Sequence, residues 1–151
     1  MRIGVISDTH GLLRPEALDA LRGLDHILHA GDVGDIAILD ALRALAPVTA
    51  IRGNVDTFGP CAELPPTEAV ELDGKFFYLI HSIFDLDLKP EIAGIACVVS
   101  GHSHKPGISE ERGVLYLNPG SAGPRRFSLP VSLAYVTVED GALRAELRQL
   151  L

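Results

Sequence analysis

Ala96-Cys97-Val98-Val99-Ser100-Gly101-His102-Ser103-His104 is a short apolar run that ends in two histidines one residue apart. In an extended segment the side chains of i and i+2 share a face, so His102 and His104 are expected to present both imidazoles to one point. On a helix they would diverge. A single His-x-His pair is weak, because most histidines in small proteins lie on the surface or are satisfied in the core. The fold and the chemistry therefore depend on whether other apolar runs end in the same kind of residue.

They do. Ile3-Gly4-Val5-Ile6 has the two-sided apolar pattern of a strand buried on both faces, and it exits into Ser7-Asp8-Thr9-His10-Gly11, with Asp8 and His10 on one face. A helix follows, with Pro15 in its first turn, an apolar stripe of Ala17, Leu18, Leu21 and Leu24, and Gly23 where a C-terminal cap is expected. The second unit, Asp25-His26-Ile27-Leu28-His29-Ala30, exits into Gly31-Asp32-Val33-Gly34-Asp35. Asp35 reads as the N-cap of a helix carrying Ile36, Leu39, Leu42 and Leu45 and closing at Pro47, and His26 and His29 read as structural. The third strand, Val48-Thr49-Ala50-Ile51, leads to Arg52-Gly53-Asn54-Val55-Asp56 and then to an aperiodic loop from Thr57 to Pro66. Taken singly, Asp8 is an ordinary turn residue and Gly53-Asn54 an ordinary turn dipeptide.

From Glu68 the pattern changes to hairpins. Val70-Glu71-Leu72 and Phe76 to Ile80 flank Asp73-Gly74, a two-residue hairpin signal, and the second strand exits at His81. A short helix around Leu88 to Ile92 is expected before the Ala96 strand. Val114 to Leu117 then runs into Asn118-Pro119-Gly120-Ser121, and Val131 to Glu139 pairs with Ala142 to Leu150 around Asp140-Gly141. Half α/β units and half hairpins imply an α/β fold of two sheets packed face to face, with helices on the outer faces.

The chain has 151 residues, expected to form a single domain over residues 1–151, and falls short of the roughly 250 typical of a (β/α)8 barrel. Hydrophobic residues at 47%, charged residues at 22% and a mean hydropathy of +0.24 describe a chain with a large apolar interior, not a disordered one. The net charge of −7 argues against an extended nucleic-acid surface. Cys61 and Cys97 lack the spacing of a disulfide framework or zinc ribbon; Cys97 reads as a core residue and Cys61 as a loop thiol. No apolar run is long enough for a membrane span and no signal peptide is evident, so a cytoplasmic location with no membrane contact is expected.

Asp8, His10, Asp32, Asn54, His81, His102 and His104 gather at the ends of five strands, where open α/β sheets place ligands. Seven nitrogen and oxygen donors without sulfur suit borderline divalent ions and exceed what one tetrahedral site needs. Asp8-Thr9-His10, Gly31-Asp32, Gly53-Asn54, His81 and Gly101-His102-Ser103-His104, in that order, resemble the calcineurin-like metallophosphoesterases. Asn118-Pro119-Gly120-Ser121 is similar to a motif of the small single-domain phosphodiesterase branch.

The resemblance implies a four-layer α/β/β/α sandwich and two divalent ions, manganese foremost, with iron, cobalt, nickel or zinc as alternatives. By analogy Asp8, His10 and His104 hold one ion, Asn54, His81 and His102 the other, and Asp32 bridges them; Asp32, Asn54 and His81 are the expected catalytic positions. The implied reaction is in-line attack on a small phosphoester, a diester by preference, by hydroxide generated at the metals. Arg125 and Arg126, with Arg52 as a further basic candidate, are expected to contact phosphate.

The family's common Gly-Asn-His pattern is broken at Val55, which cannot transfer a proton to a leaving group. Asp56, next to it, reads as a turn residue. A scaffold working through protein contacts, as the retromer subunit of this fold does, is the alternative function, and a metal-dependent hydrolase of another ester is a third. Homo-oligomerisation stays open.

Overall fold

The first fifty residues alternate strand and helix because apolar runs of four or five residues alternate with stripes of helical period. The computed structural model describes all 151 residues. Its elements are β1 (Arg2–Ile6), α1 (Pro15–Ala20), β2 (His26–His29), α2 (Ile36–Arg43), β3 (Val48–Ala50), β4 (Thr67–Leu72), β5 (Lys75–Ile80), α3 (Pro90–Ala93), β6 (Ile95–Val99), β7 (Gly107–Glu111), β8 (Val114–Asn118), β9 (Ser132–Glu139) and β10 (Ala142–Gln149). Single 3-10 turns occupy Pro60–Glu63 and Ile83–Asp85. Pro15 starts α1, and the Asp35 carboxylate accepts from the Ala37 N–H to cap α2, as their positions imply. No helix is long and apolar enough to cross a membrane.

The strands form two five-stranded mixed sheets, in the orders β10-β9-β1-β2-β3 and β4-β5-β6-β8-β7. Within the first, β1, β2 and β3 run parallel; within the second, β5, β6 and β8 do. Antiparallel hairpins close three of the four edges, turning through Asp73-Gly74, Arg112-Gly113 and Asp140-Gly141, each pair at positive φ, and β3, parallel to β2, is the fourth. β7 had no apolar signature in the sequence, because Gly107–Glu111 lies at a sheet edge and is largely exposed.

Fourteen buried residues fill the space between the sheets, among them Ile3, Val5 and Leu28 from one and Phe77, Cys97 and Val99 from the other. A second cluster of fifteen joins the outer face of the first sheet to α1 and α2 through Leu21, Ile27, Leu39 and Leu42. Cys61, a free thiol in the segment between β3 and β4, is buried in that cluster and packs there. On the outer face of the second sheet only Ile80, Ile95, Val98 and Val114 are buried, beneath α3 and its neighbours. The result is the expected α/β/β/α sandwich, with its fourth layer reduced to little more than one helical turn.

Because β1, β2 and β3 are parallel to one another, as are β5 and β6, their carboxyl ends emerge in two sets, one per sheet. The loops from these ends meet across the seam between the sheets: the His102 N–H donates to Asp8 Oδ2 at 3.1 Å, and His81 Nδ1 lies 2.8 Å from the Ala30 carbonyl oxygen. In the first sheet the exits carry Asp8 and His10, Asp32, and Asn54; in the second they carry His81, then His102 and His104.

Candidate metal centre

Two groups of donor side chains assemble at this seam: Asp8, His10 and His104, and Asp32, His81 and His102, with the donor atoms of each group within 4.8 Å of one another. The backbone that presents them is unusual. Asp8, His10, Asp32, His102 and His104 all have positive φ, between 46° and 71°, a region that costs a non-glycine residue about 1–3 kcal/mol and persists where surrounding contacts over-determine it. The expected extended geometry of His102 and His104 is thus corrected. β6 ends at Val99, and the two histidines turn through left-handed conformations into different groups.

Each carboxylate is held by one oxygen and offers the other. Asp8 Oδ2 accepts from Ser7 Oγ at 2.9 Å and the His102 N–H at 3.1 Å, leaving Oδ1 without a partner. Asp32 Oδ1 accepts from the Val55 N–H at 2.9 Å, and its Oδ2 lies 3.4 Å from His10 Nε2 and 3.1 Å from His81 Nε2. That oxygen therefore reaches a histidine of each group. Asp8 Oδ1 is 3.5 Å from His104 Nε2 and 3.8 Å from both His10 and His81 Nε2. Asn54 Oδ1 sits 3.1 Å from His102 Nδ1, so the seventh strand-exit donor joins the second group.

The protonation states point the same way. His81 Nδ1 contacts the Ala30 carbonyl at 2.8 Å, and a carbonyl only accepts, so Nδ1 carries the hydrogen. The neutral ring then faces Asp32 Oδ2 with a lone pair at 3.1 Å, an arrangement that repels unless a cation or proton stands between them. Burial lowers the His81 pKa, but Asp32, the Ala30 carbonyl and Asp8 outweigh it and the net shift is upward. His10 is also raised, first by the Asp8 carboxylate, against burial. Burial raises the Asp32 pKa, yet His81, the Val55 N–H and His10 bring it below the usual carboxylate range. Burial lowers that of His104.

All the buried side-chain polar atoms without a hydrogen-bond partner belong to this site: Asp8 Oδ1, His10 Nε2, His81 Nε2 and both ring nitrogens of His104. Buried donors and acceptors left unpaired cost about 1–3 kcal/mol each. Divalent cations fit this set, since they accept lone pairs from imidazole and carboxylate together.

Residues outside the groups hold the loops in place, and sequence reading missed their part. Asp56, read as a turn residue, is 4% exposed, and its carboxylate accepts from the backbone N–H groups of Val33, Gly34 and Gly53 at 2.9–3.1 Å. It ties the Asp32 loop to the Asn54 loop, and two of its three partners are more than twenty residues away, so no local signal announced it. Asn118 Nδ2 donates to the Gly101 carbonyl and to Ser103 Oγ, both at 3.1 Å, and Ser121 Oγ donates to the Asp8 carbonyl at 3.0 Å. The Asn118-Pro119-Gly120-Ser121 motif braces the loops that carry Asp8 and His102 to His104.

His29 is structural, as expected: its Nδ1 accepts from the Gly31 N–H, its Nε2–H donates to Thr9 Oγ1, and Thr9 Oγ1 donates to the Val33 carbonyl. Gly53 and Gly101 are required by close approach. A Cβ at Gly53 would strike Asp32 Oδ1, and one at Gly101 would strike Ser7 Oγ and Asp8 Oδ2.

The basic candidates separate. Arg52 is engaged by the Ala62 and Leu64 carbonyls of the long loop, at 3.4 and 2.9 Å, and is not a free phosphate contact. Arg126 is exposed and near enough that its charge opposes protonation of His10 and His104; Arg125 is exposed beside it.

Residues 1–141 match the Calcineurin-like phosphoesterase superfamily domain. A probable metallophosphoesterase of Methanocaldococcus jannaschii is 39% identical over 153 residues, an alignment covering 93% of this chain and 77% of that protein. Among solved structures, a novel archaeal phosphodiesterase superposes with a TM-score of 0.75 at 22% identity, over 98% of this chain and 100% of that one. Vps29 of Entamoeba histolytica complexed with zinc superposes with a TM-score of 0.77, also at 22% identity, over the whole of both chains. At such identities the structural likeness speaks for the fold, while the domain match and the archaeal relative establish the family. The chain belongs to the calcineurin-like phosphoesterase superfamily.

Proposed function

We propose that the protein is a dinuclear metal-dependent phosphodiesterase, with Asp8, His10 and His104 holding one divalent ion, Asn54, His81 and His102 the other, and Asp32 shared. The observation that carries this reading is the free oxygen of Asp32, within 3.4 Å of His10 in one group and 3.1 Å of His81 in the other. When bound, two such ions polarise a phosphoryl oxygen and make water nucleophilic near neutral pH. Manganese is the expected ion.

The chain's own residues do the rest. Ser7 and the His102 N–H orient Asp8, the Val55 N–H orients Asp32, and the Ala30 carbonyl keeps the Nε2 lone pair of His81 turned inward. Arg126, and Arg125 next to it, are free to take non-bridging phosphate oxygens from the open side. At Val55 no side chain can protonate a departing oxygen, and the Asp56 carboxylate is fully engaged by three backbone N–H groups. General-acid help is worth roughly 10²–10⁴-fold, so esters with good leaving groups are favoured.

Complete donor sets in both groups favour the enzyme over a scaffold. The test is an assay of bis(p-nitrophenyl) phosphate with purified protein before and after chelation. Activity lost to chelator and restored by Mn²⁺ is expected, and chelator-resistant turnover, or none with metal restored, counts against the reading.

A further inference from the structure

A cavity of about 200 Å³ lies beside the candidate metal centre, between the start of α2 and the loop after β3, with Ile36, Val55, Asp56, Phe58, Pro60 and Cys61 in its lining. It adjoins the site at Val55, which follows Asn54 and whose N–H donates to Asp32 Oδ1 at 2.9 Å. Its lining carries no hydroxyl, amide or cationic side chain. The Ala37 N–H in the first turn of α2 is taken by its own cap, Asp35, and the Asp56 carboxylate by three backbone donors. With two carboxylates near and no cation among the lining residues, a second anionic group is repelled, whereas a neutral apolar one gains by leaving water.

Phe58 is 81% exposed on this loop, a ring with a free face beside the cavity. Phe84 and Phe127, 91% and 89% exposed, stand on loops that follow His81 and the Asn118-Pro119-Gly120-Ser121 brace. Three of the five phenylalanines in the chain are therefore turned to solvent on loops leaving ligand-bearing or bracing segments. Size suits the occupant: an enclosed cavity of roughly 150 Å³ takes a benzene ring, so this one has room for a single ring.

We propose that this cavity binds the organic substituent of the phosphoester, and that Val55 and Phe58 select a neutral monocyclic aromatic group there. The proposal rests on the phosphoesterase reading above and names the class of ester it accepts. A polar or charged alcohol is disfavoured at this position, and the absent proton donor matters least for a phenolic oxygen, which departs as a stable anion.

The test is calorimetric binding of non-hydrolysable phosphonates to the Mn²⁺-loaded full chain. Phenylphosphonate is expected to bind about tenfold more tightly than methylphosphonate, the difference that burying part of one ring supplies. A 4-carboxyphenylphosphonate is expected to lose that advantage. The phenyl-to-methyl ratio should fall to within about twofold of one in Phe58→Ala, which removes the ring, and in Val55→Trp, which fills the cavity from a side chain already 38% exposed. Equal binding of phenyl- and methylphosphonate by the wild type, or a ratio surviving both variants, overturns the cavity assignment alone. Failure of either phosphonate to bind the metal-loaded protein overturns the phosphoester reading and this proposal together.

Discussion

Asp32 and Asp56 are both buried aspartates, at 2% and 4% exposure, yet their partners give them opposite tasks. Asp32 keeps one oxygen free among imidazoles, and Asp56 has both oxygens covered by backbone N–H groups. Asp32→Asn removes the charge shared by both groups, so metal analysis should find fewer than two ions per chain. Diesterase kcat/KM should fall by at least about a hundredfold, the upper range for residues that merely support a ligand. Full metal content and rate in that variant would refute the shared role.

Asp56→Ala leaves three inward-facing N–H groups unpaired. Urea unfolding should show a loss of about 3 kcal/mol, with weaker metal binding although residue 56 donates to no ion. His29 gives a pH signature. Burial lowers its pKa to about 4, from an ordinary value of 6.5, so between those values the unfolded chain holds a proton that the folded chain does not. This contribution to stability is complete above pH 6.5 and is lost as pH falls toward 4, about 3 kcal/mol in all. Urea titrations of metal-free protein should show a shallower slope over that window in His29→Gln; equal slopes would rule this out.

At the level of elements, the strand exits work because short loops approach one another more closely than side chains permit. Gly53 and Gly101 mark two such approaches, each against a carboxylate-bearing loop. Gly53→Ala forces the β3 exit away from Asp32. Calorimetry should show at least tenfold weaker Mn²⁺ binding, while far-UV circular dichroism stays that of the wild type. Wild-type affinity would mean that the loops separate without moving the donors.

The periodic elements were legible beforehand. α1, α2 and the Asp73-Gly74 and Asp140-Gly141 hairpins follow from spacing, capping and turn chemistry, which are local. β7 was not, because an exposed edge strand needs no apolar alternation; its pairing with β8 and the Arg112-Gly113 turn hold it.

For the molecule as a whole, each sheet contributes part of the candidate donor set, and its buried partnerless atoms meet at the seam. Two divalent ions would take the net charge from −7 to −7 + 4 = −3. An ion at a thousand times its dissociation constant adds about 4 kcal/mol of stability, or roughly 10 °C in Tm for a chain of this size. Differential scanning calorimetry with and without Mn²⁺ should show that shift, and a Tm indifferent to metal would refute the coupling. The sequence by itself determined the α/β class and the five strand exits and named seven candidate donors, since each follows from residue type and local spacing. Only the tertiary structure decided which oxygen of each aspartate is free, and that Asp56 and Asn118 brace the loops. Those properties depend on left-handed turns and on backbone hydrogen bonds between segments far apart in the chain, and neither leaves a pattern in the order of residues.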